Sequence, residues 1–223
     1  PQRGCECLSA RQGERPLVVP SWATTLAAPP RPTEDSAGSA RAAAQRFIRG
    51  SPYPDKFANG LSFDYASVGA GARLVTFSKG MRHASSILST DKGDYMLAPC
   101  DSRPYFVISL LEDLFLEHVG LVTFESFASG FRHLQILGSS RYPTKQWRLL
   151  GEIETNPTAP HELFDVGSYC RNQSELCWVR FLKVRALSHH HLEDTSFCAL
   201  TRFQAFGSTQ MTYIAEERSK QDE

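Results

Sequence analysis

Residues 94–137 read DYMLAPCDSRPYFVISLLEDLFLEHVGLVTFESFASGFRHLQIL, and no other part of the chain packs apolar residues so densely. Within it, residues 105–111 and 115–124 are short runs of Val, Ile, Leu and Phe separated by the polar pair Glu112 and Asp113. Such runs fit either short strands or a buried helix by length, but β-branched and aromatic side chains suit a pleated surface better than a helix. Two adjacent strands, buried on at least one face, are therefore expected here.

Outward from this block the chain continues as short apolar runs between turn residues. Residues 73–77 predict a first strand, after a glycine cluster at Gly69 and Gly71. That cluster lacks the spacing and the following Lys-Ser/Thr of a phosphate-binding loop, so close backbone approach at a strand entry is its reading. Downstream, residues 146–153 predict a strand with Gly151 as a bulge. Residues 162–166 and 177–187 predict two more, and residues 200–206 a last one closed by Gly207. Short strands without long amphipathic helices between them point to an all-β fold, an antiparallel β-sandwich or jelly roll. Upstream, residues 36–49 are alanine-rich and predict a short N-terminal helix capped at Ser36 or Ser39 and stopped at Gly50, followed by a turn-rich connector to residue 58. The polar tail, residues 208–223, predicts a frayed helix with a solvated charged face.

Composition sets the outer limits. Six of the 13 prolines fall in the first 32 residues, where Trp22 is the only aromatic, so residues 1–35 read as disordered linker. Residues 59–207 then form a domain of ordinary size. Lys plus Arg and Asp plus Glu are 24 each, which gives no long-range attraction to nucleic acid or an anionic membrane. No apolar run reaches eighteen residues, so any membrane attachment is expected from segments outside this chain. Cys5 and Cys7 form a C-x-C pair with no second pair at zinc-finger spacing. Cys100, Cys170, Cys177 and Cys198 lie in the folded part, where an oxidising compartment would let them pair. Asn172-Gln173-Ser174 is a glycosylation sequon, and it agrees with that compartment.

Catalytic and metal signatures are weak. His189, His190 and His191 lie beside Glu193 and Asp194, but adjacent histidines cannot all face one site, and a polar loop between strands is the simpler reading. There is no G-x-S-x-G elbow and no His-Glu-x-x-His helix. Cys100 as a nucleophile would need a base brought to it by the fold, with His83, His118, His133 and His161 as candidates only by default. No cofactor is implied.

A series of segments, taken together, resembles the SUN-like (mid-SUN) branch of the SUN domain family. These are Asp64-Tyr65-Ala66-Ser67 with Gly69-Ala70, Ser85-Ser86-Ile87-Leu88, Asp94-Tyr95-Met96-Leu97-Ala98-Pro99-Cys100 and Phe106-Val107-Ile108. Then come Phe124-Glu125-Ser126-Phe127-Ala128-Ser129, Arg141-Tyr142-Pro143-Thr144, Trp147 with Leu149 and Gly151, Val184, Leu187-Ser188-His189, and Phe197-Cys198-Ala199-Leu200 before Phe206-Gly207. The resemblance implies a galactose-binding, discoidin-like sandwich with no catalytic activity. It implies a place on the lumenal side of the endoplasmic reticulum or nuclear envelope membrane, membrane or lumenal proteins as partners, and support for the folding or stability of client proteins. It also implies a disulfide between Cys100 and Cys198; Cys170 and Cys177 could form a second bridge.

The chain departs from KASH-binding SUN domains. Residues 78–98 are short for their lid, residues 126–131 are short for their cation loop, and Phe197-Cys198-Ala199-Leu200-Thr201-Arg202-Phe203 lacks their tyrosines. KASH peptide binding, the cation and the trimer are therefore put in doubt, and KASH-binding, LINC-type bridging stands as the alternative within the family. Rigid strands carry variable loops, so the binding surface is expected on three of them. These are residues 80–84 with Arg82 and His83, residues 127–132 with Phe127, Phe131 and Arg132, and residues 189–194 with His189, His190 and His191. A carbohydrate- or lipid-binding module of the discoidin type, reading through Phe127, Phe131 and Arg132, is the alternative from another class.

Overall fold

The computed structural model of the chain describes residues 47–52, 63–168, 178–190 and 196–221. The linker of residues 1–35, the Cys5–Cys7 pair, the expected helix up to residue 46, Cys170, Cys177, the Asn172 sequon and His191 lie outside the described residues. Eleven strands and a helix follow one another in these: β1 (Ile48–Arg49), β2 (Ser51–Pro52), β3 (Arg73–Phe77), β4 (Met96–Pro99), β5 (Tyr105–Val122), β6 (Phe131–Ser139), β7 (Arg148–Glu154), β8 (His161–Asp165), β9 (Trp178–His189), β10 (Phe197–Leu200), β11 (Arg202–Thr209) and α1 (Gln210–Gln221).

The two strands expected at residues 105–111 and 115–124 are one, β5, of 18 residues. Glu112 and Asp113 do not end it. They sit where the register with β9 jumps from Ser109↔Phe181 to Leu114↔Val179, so β5 bulges outward and the polar pair faces water without breaking the strand. On one side of that bulge β5 lies between β3 and β9, and on the other between β11 and β8. It is thus shared by two layers, β3-β5-β9-β6-β7-β1 and β11-β5-β8-β2. All pairs in these layers are antiparallel except β1 with β7. The opposite ends of the layers meet too, because β1 and β2 are joined through Gly50. The resulting β-sandwich leaves few unpaired edges. Its core includes Leu114, Leu116, Val119, Leu150, Phe164, Leu182, Phe203 and Phe206, each almost wholly buried. Side chains of this kind stabilise by roughly 1.5–3 kcal/mol apiece.

Three sequence expectations need correction. Residues 48–49, read as the end of a helix, form β1 beside β7, and residues 51–52, read as a turn, form β2 beside β8. A reason is visible at Gly151, where a Cβ would come within 2.8 Å of Ile48 Cδ1: the β-branched Ile48 fills a notch that glycine leaves open. The last strand, expected at residues 200–206, is two. Thr201 divides them; it is buried, its N–H donates to Val122 O at 2.9 Å, and its Oγ1 accepts the Phe124 N–H at 3.0 Å. These bonds turn the chain from β10, which pairs with β4, into β11, which pairs with β5. Finally, β6 was not expected as a strand, and the loop expected at residues 127–132 runs into it. The strand expected at residues 73–77 is found there, and α1 occupies the tail where a helix was expected. Tyr213 of α1 packs with Phe115 and Trp178, both at 5.7 Å.

Glu154 at the end of β7 gathers the charges beside β1. Its carboxylate accepts from Arg132 at 3.2 Å and lies 3.4 Å from His133 Nε2 and 3.6 Å from Arg49 Nε. The Arg132 hydrogen bond, with His133 and Arg49 adding, holds this carboxyl below the ordinary carboxylate range. A lowered acid pKa contributes stability above the unfolded value and loses it as pH falls through the folded one. Glu154→Gln should therefore lower the urea midpoint at neutral pH, with the gap to the parent closing as pH drops below the ordinary 4.5. A gap that stays constant down to pH 2 would refute this coupling. Gly207 lies at the irregularity between β11 and β5, where a Cβ would stand 2.0 Å from the carbonyl oxygen of Phe115. Backbone cannot yield as a flexible side chain can, so Gly207→Ala should cost about 3 kcal/mol in urea unfolding, the upper end of the usual range for overpacking. An unchanged midpoint would contradict the close approach.

Candidate interaction cleft

Cys100 and Cys198 are joined, with sulfurs 2.07 Å and Cα atoms 5.1 Å apart. The bond fastens a narrow ribbon. β4 pairs with β10; Arg82 bridges to Leu97 on the outer side of β4, and Ser129 bridges to Cys198 on the outer side of β10. Ser129 is 2% exposed. Its N–H donates to Phe197 O at 3.0 Å, its carbonyl accepts from the Ala199 N–H at 2.9 Å, and its hydroxyl donates to the carbonyl of His190. The loop of residues 123–130 is thereby tied to the disulfide ribbon.

This loop forms one wall of a cleft of about 480 Å³, and residues 155–160 form the other. Leu121, Phe131, Leu134 and Leu200 line it from the core, together with Glu162 of β8, and His190 lies at one side. The walls are cross-linked: Thr123 N–H donates to Pro160 O at 2.9 Å, the Thr155 hydroxyl donates to the Phe131 carbonyl, and Thr155 Oγ1 lies 2.9 Å from His190 Nε2. A second cleft of about 410 Å³ adjoins it through Thr155, Asn156, Pro157, Glu162 and His190, with Arg49 and Arg132 on its own lining.

Burial sets the protonation of the two groups common to both clefts. It pushes the Glu162 carboxyl up, against the Asn156 N–H that Glu162 Oε2 accepts at 2.9 Å. It also pushes the His190 imidazole down, with the Arg132 guanidinium adding, so His190 is mostly neutral near pH 7.

The residues singled out from sequence are placed unequally. Phe127 is 88% exposed at the loop tip beside the cleft, and His190 lines the cleft. Phe131 is a correction. It begins β6 and is 6% exposed, because its ring joins the core cluster. Arg132 also belongs to β6 rather than to a loop, and it serves Glu154. His189 ends β9 opposite Phe131 rather than standing in a loop. One of its ring nitrogens lies within 4.8 Å of both Cys100 and Cys198 sulfurs, but sulfurs spent in a disulfide offer no thiolate ligand and no nucleophile. Arg82 covers the Phe197 ring at 5.5 Å, and exposed His83 opens the 3-10 turn Ala84–Leu88 in the left-handed region, at φ 50°. These two flank the ribbon on the side away from Ser129, roughly three strand spacings, about 14 Å, from the cleft wall.

Sequence reading missed Glu162, Thr155 and the 155–160 wall as parts of a site. The signal for Glu162 was the strand period of two, which puts it on the same face as the wholly buried Phe164.

The family profile described as "Sad1 / UNC-like C-terminal" matches residues 77–209, more than half of the chain. SUN domain-containing protein 4 of Arabidopsis thaliana is 29% identical over 159 residues, which are 71% of this chain and 25% of that protein. The human SUN domain-containing ossification factor is 28% identical over 153 residues, 69% of this chain and 12% of that protein. The chain thus spans a quarter or less of the length of these relatives. Among solved structures, CBM32-3 from a family 31 glycoside hydrolase of Clostridium perfringens superposes with a TM-score of 0.53 at 8% identity, covering 69% of this chain and 99% of that one. That likeness is one of fold, a discoidin-like β-sandwich, and the profile match is one of descent: the chain belongs to the Sad1 / UNC-like C-terminal family, the noncatalytic SUN domains.

Proposed function

We propose that this SUN domain is a lumenal protein-interaction module of a membrane protein of the endoplasmic reticulum or nuclear envelope. Segments outside this chain hold it to the bilayer, and its end cleft engages membrane or lumenal proteins whose folding or stability it supports. The observation that carries this reading is the Cys100–Cys198 bond, fastened through β10 and Ser129 to the wall of the cleft. A bond of this kind persists in an oxidising compartment. Here it braces a concave, half-apolar surface within the usual size range of ligand sites, with Phe127 standing out at its rim. Exposed aromatics beside a rigid groove are the common anchors of protein contacts. The Asn172 sequon supports the same compartment.

The test uses the full-length protein in cells, with a photo-reactive benzoylphenylalanine in place of Phe127 and, as a control, at exposed Arg218 on α1. The expected result is a glycan on Asn172 that endoglycosidase H removes, together with cross-links from position 127 to proteins with lumenal segments that position 218 does not give. An unmodified Asn172 with free thiols at Cys100 and Cys198 would overturn the compartment. Identical cross-links from both positions would overturn the role of the cleft.

A further inference from the structure

Once ionised, the carboxylates on the described lining of the cleft give it charge of one sign. Of the described residues that line it, the ionisable ones are Glu125, Glu162 and His190, and none is Lys or Arg. His190 is held neutral by burial, so it does not compensate the carboxylates. The arginines of the adjoining cleft, Arg49 and Arg132, turn to Glu154 at 3.6 and 3.2 Å. Lys92 stands over the Phe124 ring at 5.8 Å and is not part of the lining. Glu125 shapes the rim by accepting the Phe127 N–H at 2.8 Å. Glu162, only 6% exposed, shows one hydrogen bond among the described residues, from the Asn156 N–H. A carboxylate so buried is costly to keep ionised unless a cation meets it.

About half of the lining around these carboxylates is apolar. Leu121, Leu134 and Leu200 are each no more than 5% exposed, yet all reach the cleft. The aromatic Phe124 completes the rim at 42% exposure. A groove that buries methylenes along its sides and presents a carboxylate with no cation beside it among the described residues is complementary to a long aliphatic stem ending in a positive charge.

We propose that the cleft receives a basic side chain of a protein partner, with its aliphatic stem against Leu121 and Leu134 and its cationic head at Glu162. The proposal rests on the interaction-domain reading and adds the chemistry of the partner to it. Glu125 contributes a second, outer negative charge that guides the cation inward.

The experiment titrates the isotopically labelled chain, with its disulfide intact, against three tripeptide amides: acetyl-Gly-Lys-Gly, acetyl-Gly-norleucine-Gly and acetyl-Gly-Glu-Gly. Amide shifts of Leu121, Gly130 and Leu134 are followed by NMR. The lysine peptide is expected to shift these amides with a Kd at least about tenfold below that of the norleucine peptide, and the glutamate peptide to leave them unmoved. Glu162→Gln keeps an acceptor for the Asn156 N–H and should abolish the preference for lysine. Equal affinity for lysine and norleucine would overturn the proposal in favour of a plain apolar groove, and that comparison needs no variant. Shifts with the glutamate peptide, or none with lysine, would also overturn it. None of these outcomes touches the cross-linking from position 127, so the interaction reading stands or falls separately.

Discussion

The backbone pairing of β5 is the constraint from which the rest of the molecule takes its position. A strand of 18 residues with partners on both edges along most of its length has one register that satisfies all of them. A slip by one residue would turn Leu114, Leu116 and Leu110 out of the core together. The bulge at residues 110–113 lets a single strand change layers, so the two sheets are joined covalently on one side by β5 and on the other by the run from β1 through Gly50 to β2. The position of the cleft follows from this closure. β5 ends at Val122 and hands the chain directly to the wall of the cleft, while β8, pairing with the same end of β5, delivers Glu162 to the lining.

The disulfide has a different task. Closing a loop of 98 residues removes about 4–5 kcal/mol of chain entropy from the unfolded state in the loop-closure model. Its local effect is more telling for function. The ribbon of β4 and β10 carries only four residues per strand, and it is this small element that orders Ser129 and, through it, His190. Apart from it, the loop wall is held by a few hydrogen bonds, among them those of the Thr123, Phe124 and Phe127 N–H groups. Rigidity at a binding surface lowers the ordering entropy lost on association, so the covalent bond and the cleft belong to one design.

Much of this was legible in the sequence, and the failures have physical causes. Runs such as Arg73-Leu74-Val75-Thr76-Phe77 carry their own β signature, and the Cys100–Cys198 pairing followed from the family resemblance, because four cysteines alone leave the pairing open. The break expected at Glu112 and Asp113 did not occur because the pairing with β9 skips them and resumes at Leu114, so a bulge turns them to water without ending the strand. Ile48 became a strand residue because of a notch at Gly151, about a hundred positions away, that no local propensity reports. Phe131 looked like a loop tip beside Gly130 yet belongs to the core, since the chain turns inward at that glycine. The cleft itself joins residues 123–130, 155–160, 162 and 190, a juxtaposition set by pairing alone.

In the joined picture, β5 supplies the framework, the disulfide supplies the brace, and the cleft between them is the surface proposed for partner contact. Native-state hydrogen exchange on the oxidised and the selectively reduced chain tests this division directly. Amides of Leu114 to Val122 should exchange only through global unfolding in both forms, while the Ser129 and Ala199 amides should lose protection on reduction. If reduction instead released β5 together with Ser129, or left Ser129 as protected as before, the brace and the framework would not be separate and the division would be wrong.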